Sequence, residues 1–190
     1  MLLTPGTSLD QAWSSVVHEL NRGALDRKHP FRFISLATIS NQKPGVRYVV
    51  LRKVDEALNC YIYTDSRSAK VTELQQNPSA SILCYHPSKR VQIRMDGQVT
   101  LHQQDELSKT HWTNVQGEGR KAYSSTLAPG LEISENIEAY HWHEAPTDEN
   151  FTVINFRPIT IEVLQLNKLE HLRAIFQREE DGWNKKWLVP

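Results

Sequence analysis

The fold of this chain is decided by residues 46–64, VRYVVLRKVDEALNCYIYT. Two runs rich in β-branched and aromatic residues, Val46–Val54 and Cys60–Thr64, flank a short polar stretch, Asp55–Asn59, which predicts a β-hairpin. Similar runs on both sides of this hairpin predict further strands at Phe31–Ile39, Ser81–Tyr85, Val91–His102, Phe151–Phe156, Thr160–Leu166, Leu172–Arg178 and Trp183–Leu188.

Few helices interrupt these strands. The N-terminal residues 1–22 are predicted as an amphipathic helix, and shorter helices are predicted at Ser66–Asn77, Gln104–Val115 and Glu135–His143. The stretch Asn41–Gly45 is typical of a turn, and Gly97 marks a possible bulge in its strand.

Many consecutive strands with peripheral helices favour a mainly β (α+β) fold, a closed antiparallel barrel. We expect a single domain over residues 1–190. Within it we expect the barrel core at 31–102 and a C-terminal hairpin at 167–190.

The chain has 190 residues, and its 22 Lys and Arg balance 22 Asp and Glu. This neutral total hides an asymmetry. Residues 22–94 carry 13 basic and 5 acidic side chains, whereas residues 95–190 carry 9 and 15. A bound anion is therefore expected in the first half. The acidic stretch Glu132–Glu149 holds six carboxylates and no Lys or Arg.

Several classes of protein are excluded by what the sequence lacks. No apolar run approaches the ~20 residues of a membrane-spanning helix. The N-terminus does not resemble a signal peptide, so we expect a cytoplasmic protein without a membrane partner. Cys60 and Cys84 are expected as buried free thiols. Basic residues are not clustered with aromatic ones, so no nucleic-acid partner is expected.

Motifs of metal and nucleophilic chemistry are also missing. His141 and His143 lie two residues apart, and neither has Cys, His or carboxylate neighbours at metal-ligand spacing, so no metal is predicted. Ser124 and Ser125 lack the Gly-x-Ser-x-Gly context of a nucleophile. Neither a Gly-x-Gly-x-x-Gly loop nor a Walker loop occurs.

What remains is a set of hydroxyl and cationic residues in the basic half of the chain. Arg47 and Arg52 flank one strand core, and Ser68 and Lys70 open the helix after the next strand. A helix N-terminus with hydroxyls and a lysine suits a phosphate, and a neighbouring arginine would add a clamp. The alternative from spacing alone is a capped helix with solvated charges.

Four motifs, in order, carry a resemblance to a known family. The runs RYVVLRKV, YIYTDSRSAK and RVQIRMDGQV and the ending HLRAIFQREEDGWNKKWLVP resemble the pyridoxamine 5′-phosphate oxidase-like flavoproteins. The resemblance covers Phe31 to Pro190. It implies the FMN-binding split barrel as the fold, FMN as the cofactor, a small-molecule substrate, and a homodimer with flavin at its interface.

The resemblance also implies which residues bind the cofactor. Arg47, Ser68 and Lys70 would hold the FMN phosphate. Ala69 stands where the family has an arginine, so Arg67 is a candidate replacement. Since Arg47 and Arg52 are five residues apart, strict alternation places them on opposite faces of the strand. They reach one ligand only if the strand bends or if one side chain reaches around the end of the strand. The complete set is Arg47, Tyr48, Val49, Val50, Leu51, Arg52, Tyr63, Thr64, Arg67, Ser68, Lys70, Gln92 and Arg173.

The resemblance is weaker where the substrate would bind. The segment Thr110–Gly119 offers His111 and Trp112 but lacks the arginine that holds the substrate phosphate in the true oxidases. His171 is retained and is the candidate catalytic residue. The resemblance therefore favours an FMN-dependent oxidoreductase with an unidentified small substrate. Two alternatives stay open: a non-catalytic flavin-binding or storage protein, and a split barrel that binds deazaflavin or haem.

Overall fold

Eight strands and three α-helices make up the computed structural model, which describes residues 1–190. The helices are α1 (Leu9–Leu25), α2 (Ala69–Gln76) and α3 (Glu106–Thr113). Short 3₁₀ turns occur at Pro30–Arg32, Gly117–Tyr123 and Asn136–Ala139. The strands are β1 (Phe33–Ser40), β2 (Lys43–Val54), β3 (Cys60–Asp65), β4 (Ser79–His86), β5 (Val91–Gln103), β6 (Phe151–Gln165), β7 (Leu172–Glu179) and β8 (Gly182–Leu188).

The strands pair in the order β3-β2-β1-β4-β5-β6-β7-β8, and every pairing is antiparallel. The first half of β6 also pairs with β3, which closes six strands into a barrel. The second half of β6 pairs with β7, so the β7–β8 hairpin extends from the barrel wall. The predicted closed antiparallel barrel is thereby confirmed.

Alternation along the strands fills the barrel with apolar side chains. Leu36, Leu51, Ile62, Ile82 and Ile93 come from five different strands and are fully buried. Helix α1 packs its apolar face on the same core, as its buried positions show. No helix of the structure is long and apolar enough to cross a membrane.

Helix α1 differs from its predicted range of 1–22. It begins after Ser8, whose hydroxyl accepts from the Gln11 N–H at 3.2 Å, and it continues through Gly23. A Cβ on Gly23 would lie 2.6 Å from the Cβ of Phe31. The glycine therefore permits close packing inside the helix and does not end it.

The two strands predicted at 151–156 and 160–166 are one continuous strand, β6. Pro158 lies between the two predicted strands, at a bulge, where proline is tolerated. Ile159 is the extra residue: Thr160 pairs with Asp96, and Pro158 already pairs with Gly97. A Cβ on Gly97 would lie 2.2 Å from the Arg157 carbonyl oxygen, so this close approach requires glycine.

Two other predicted elements are shorter than expected. The turn predicted at Asn41–Gly45 consists only of Asn41 and Gln42, both with positive φ, and Pro44 already pairs with Ile39 in the sheet. The helix predicted at 135–143 is a single 3₁₀ turn.

Candidate functional site

A group of cationic and hydroxyl side chains lies where β2, β3 and α2 meet; we call it the phosphate cluster (Arg47, Thr64, Ser68 and Lys70). Lys70 Nζ donates to Thr64 Oγ1 at 3.0 Å, and the hydroxyl oxygens of Thr64 and Ser68 are 3.2 Å apart. Ser68 precedes α2 but donates to the Asp65 carbonyl at 2.7 Å and does not cap the helix. The first N–H groups of α2 therefore lack a side-chain acceptor.

One carboxylate partly balances this cluster. Arg47 Nη2 is 2.7 Å from Glu73 Oε2, and Arg47 also donates to the Thr38 hydroxyl. The hydrogen bond from Thr38 is the main reason that the pKa of Glu73 is lowered, with a further contribution from Arg47. Burial, and then the charge of Arg47, lower the pKa of Lys70. Two cations against one carboxylate leave a net positive charge, which suits an anion.

Arg67 is not part of this cluster. Its guanidinium contacts both carboxylate oxygens of Asp65, at 3.0 and 2.7 Å, and donates to the Ser125 carbonyl at 2.9 Å. Its charge is therefore paired with that of Asp65. The phosphate-binding role of Arg67 stays a prediction, for a guanidinium that is paired with Asp65 in this structure.

A cleft of about 580 Å³ opens on the other side of β2; we call it the arginine cleft. It lies beside a bulge at Arg52, where Leu51 pairs with Ile62 and Lys53 already pairs with Tyr61. The bulge resets the alternation so that Val54 returns to the core. The lining residues are Arg27, Arg32, Phe33, Val50, Arg52, Tyr63, Asn114, Val115, Gln116 and Gly119.

The bulge does not bring the two predicted arginines of β2 together. Arg47 shares a face with the buried Leu51 and contacts α2, whereas Arg52 is exposed and lines the arginine cleft. The guanidinium of Arg52 lies 5.5 Å from the centre of the Tyr63 ring. The expectation of opposite faces is confirmed, and the two arginines belong to different groups.

His111 on α3 completes this side of the barrel. Its Nδ1 lies 2.8 Å from the Tyr63 hydroxyl, and its ring stacks on Tyr61 with a centroid distance of 5.0 Å. Burial lowers the pKa of His111, with smaller contributions from Lys53 and His102. Burial raises the pKa of Tyr63, although Arg52 opposes this shift. The sequence drew attention to His111 but gave no signal of its contact with Tyr63.

The other predicted site residues lie on the outer face of β5–β7. Gln92 pairs with Leu164, which pairs with Arg173. Arg173 Nη2 is 2.8 Å from Glu162 Oε2, while its buried Nε has no partner. His171 Nδ1 accepts from the Asn167 N–H at 3.0 Å, so its Nε2 carries a proton and can donate.

This outer group is far from the phosphate cluster of the same chain. Thr64 pairs with Thr152 at one end of β6, and Arg173 pairs with Leu164 at the other. A strand rises about 3.3 Å per residue, so the two pairings are separated by roughly 40 Å along β6. The two groups therefore lie near opposite ends of β6.

Apolar side chains on the outer sheet face are unusually exposed. Val46 is 67% and Tyr48 is 77% exposed on β2, and Leu83 and Tyr85 on β4 and Ile159 on β6 are exposed as well. A sheet face with this many exposed apolar side chains is typical of an interaction surface.

One cluster has the residue types of a metal site, namely Glu19, His29 and His86. Both imidazoles accept a backbone N–H at Nδ1, so their Nε2 atoms carry protons and are not free to bind a metal. Glu19 is in addition paired with His29 at 3.2 Å and with Lys89 at 2.7 Å. This donor arrangement favours a buried ion-pair network.

Comparisons with known proteins agree with this fold. The sequence profile of the family described as "Pyridoxamine 5′-phosphate oxidase, FMN-binding domain" matches residues 10–103. Two relatives named pyridoxine/pyridoxamine 5′-phosphate oxidase are each 28% identical. The relative from Agrobacterium fabrum aligns over 83% of this chain and 82% of its own length, and the one from Mesorhizobium japonicum over 96% and 88%.

Two crystal structures superpose over nearly their whole length. The first is a pyridoxamine 5′-phosphate oxidase-related, FMN-binding protein from Nostoc punctiforme, with a TM-score of 0.78, 24% identity and complete coverage of both chains. The second is PhzG from Burkholderia lata in complex with tetrahydrophenazine-1-carboxylic acid, with a TM-score of 0.77, 20% identity and coverage of 99% and 98%. The matched profile and the relatives make this chain similar to the pyridoxamine 5′-phosphate oxidase, FMN-binding domain family, and the two superposed structures show that it has the same fold.

Proposed function

We propose that this protein binds FMN and acts as an FMN-dependent oxidoreductase on a small substrate. The observation that carries the proposal is the phosphate cluster, in which two cations and two buried hydroxyls adjoin the uncapped N-terminus of α2. Cations, hydroxyls and free N–H groups are the donors that bind a phosphate monoester. The names of the relatives, all oxidases, support the redox function.

The residues present fit this cofactor. Lys70, Arg47, Thr64 and Ser68 would hold its phosphate, and the backbone of residues 48–51 with Tyr63 would lie along the rest of the molecule. Bound FMN supplies two-electron redox chemistry. Arg52 contributes a fixed positive charge at the arginine cleft, where the substrate would bind.

We also propose that the complete site forms in a homodimer. Gln92, His171 and Arg173 cannot reach the phosphate cluster of their own chain, but a second copy packed on the exposed outer sheet face would supply them. The buried, unpartnered Nε of Arg173 is a donor that a ligand at such an interface would satisfy.

His171 is our candidate for a catalytic residue in that dimer. Its Nδ1 is occupied by the Asn167 N–H, which leaves the Nε2 proton free to be donated to a bound substrate. The proton would hydrogen-bond to a polar group of the substrate and orient it.

The absorption spectrum of the purified protein, before and after FMN is added, tests the cofactor. We expect the two-band flavin spectrum and a stoichiometry of about one FMN per chain. A protein that fails to bind added FMN contradicts the proposal, and a haem or deazaflavin spectrum would favour the corresponding alternative.

A second measurement tests the redox function. Flavin bound to an oxidoreductase should be bleached anaerobically by reduced nicotinamide or by an amine substrate. Flavin that no such donor bleaches would favour a storage protein.

A further inference from the structure

The arginine cleft contains three guanidinium groups and no carboxylate. Arg27, Arg32 and Arg52 are among its lining residues, which include neither Asp nor Glu. None of the three forms a salt bridge anywhere in the structure. By contrast, Arg47 is paired with Glu73 and Arg67 with Asp65. The cleft therefore concentrates positive charge that the protein itself does not balance.

Arg32 is held firmly in this cleft. Its Nη1 donates to the carbonyl oxygens of Ala24 at 2.6 Å and Leu51 at 2.9 Å. Its Nε and Nη2 have no hydrogen-bond partner in the protein, and these are the atoms that a bidentate anion would contact. Burial, followed by the charges of Arg52 and Arg27, lowers the pKa of Arg32. The three cations therefore repel one another, and a bound anion would relieve this repulsion.

The other lining groups also suit an anionic ligand with a flat body. Asn114 and Gln116 contribute amide groups that can donate, and Phe33, Val50 and Tyr63 contribute apolar surface. Arg52 lies over the Tyr63 ring, which limits its freedom before a ligand binds.

We propose that Arg27, Arg32 and Arg52 recognise a phosphate or carboxylate group on the substrate. Two of these cations come from the segment before β1, and the segment 110–119 supplies none. Substrate recognition as the role of this site rests on the function proposed above, but anion binding does not. The site is distinct from the phosphate cluster, so one chain can hold two anionic groups.

Calorimetric titration of the FMN-saturated protein with inorganic phosphate and with benzoate tests the proposal. Arg27→Glu should weaken binding of the preferred anion by about tenfold or more, since a charge-assisted hydrogen bond is replaced by repulsion. The flavin content of the Arg27→Glu protein should equal that of the wild type. Arg157→Ala is the matched control, because Arg157 is exposed on β6 outside both groups, and it should leave anion affinity unchanged.

The outcomes separate this proposal from the flavin proposal. If the protein binds no FMN but Arg27→Glu still weakens anion binding, the anion site stands and the cofactor proposal fails. If the wild type binds neither phosphate nor benzoate, the anion site is refuted. Unchanged affinity in folded Arg27→Glu also refutes it. Should Arg27→Glu not fold, Arg27→Ala replaces it with an expected loss of about fivefold. The stronger of the two anions identifies the group on the substrate.

Discussion

The phosphate cluster and the arginine cleft are both basic, but they balance charge in different ways. In the cluster, Glu73 accepts from Arg47 and Thr38 and leaves a small net charge within a hydrogen-bonded network. In the cleft, Arg32 and Arg52 have no carboxylate partner at all. A cluster with balanced charges remains ordered without its ligand, whereas a cleft with unbalanced charges is stabilised most when an anion binds. The difference fits the two proposals, a resident cofactor at the cluster and an exchanging ligand at the cleft.

Removing the cations of the cluster should have the largest effect. In Arg47→Ala/Lys70→Ala we expect FMN affinity to fall by at least 100-fold, because two charged phosphate contacts are lost. Fluorescence titration of FMN measures this loss. Lys43→Ala, which removes an exposed cation at the start of β2, is the control and should bind like the wild type. Unchanged affinity in the folded double variant would refute the assignment of the cluster.

Removing the Glu73 carboxylate should change FMN affinity and the stability of the protein in opposite directions. In Glu73→Gln we expect FMN to bind several-fold more tightly, while the free energy of unfolding at pH 7 falls by about 1–3 kcal/mol. The folded-state pKa of Glu73 lies below its ordinary value of 4.5, so its stabilising effect is present above pH 4.5 and is lost as pH falls further. The difference in stability between wild type and variant should therefore shrink in acid, as measured by urea denaturation at pH 7 and pH 3.5.

His111 should give a smaller effect at the cleft. His111→Phe removes the hydrogen bond to Tyr63, and we expect a loss of about 1 kcal/mol at pH 7.5. Because the folded-state pKa of His111 lies below 6.5, the unfolded chain binds a proton first, and the wild type loses stability as pH falls below 6.5. The variant should lose less between pH 7.5 and 5.5. An equal loss in both proteins would contradict a buried, neutral His111.

Salt should reveal the smallest difference between the two groups. Raising the salt concentration from 0.05 to 0.5 M should weaken phosphate binding at the cleft several-fold, because its charges are unpaired and partly open to solvent. FMN affinity should change less, because Thr64 and Ser68 are buried and the half-buried Lys70 is hydrogen-bonded to Thr64. Titrations at both salt concentrations make the comparison, and equal salt dependence would remove the distinction.

The sequence predicted the barrel because its signal is local. Alternation in Val46–Val54 and Val91–His102 reflects which face of each strand is buried, and the structure confirms these strands within a few residues. The break predicted between Phe156 and Thr160 was wrong because a bulge accommodates Pro158 where Gly97 lies opposite, and that pairing joins residues about 60 positions apart.

The charge balance of the site could not be predicted in the same way. Whether Arg67 is free depends on where the Asp65 carboxylate lies, and the lack of a partner for Arg32 depends on every carboxylate in the fold. The contact between Tyr63 and His111 likewise joins β3 to α3 across 48 positions. Such contacts are set by the tertiary structure and cannot be predicted from the residue pattern.

Strand β6 acts as a spacer of fixed length in the proposed dimer. One end is bound to the strand that carries Thr64 and the other to the strand that carries Arg173. In a two-fold symmetric dimer, each ligand would contact the phosphate cluster of one subunit and the Arg173 group of the other. The β6 strands of both subunits would therefore position each ligand. β5 pairs with β6 over this whole length with one residue fewer, because at the bulge two residues of β6 oppose a single step of β5. The distance between the two ends of β6 would thus be set by β5 as well, and the bulge opposite Gly97 lets β6 keep its extra residue Ile159 without changing that distance.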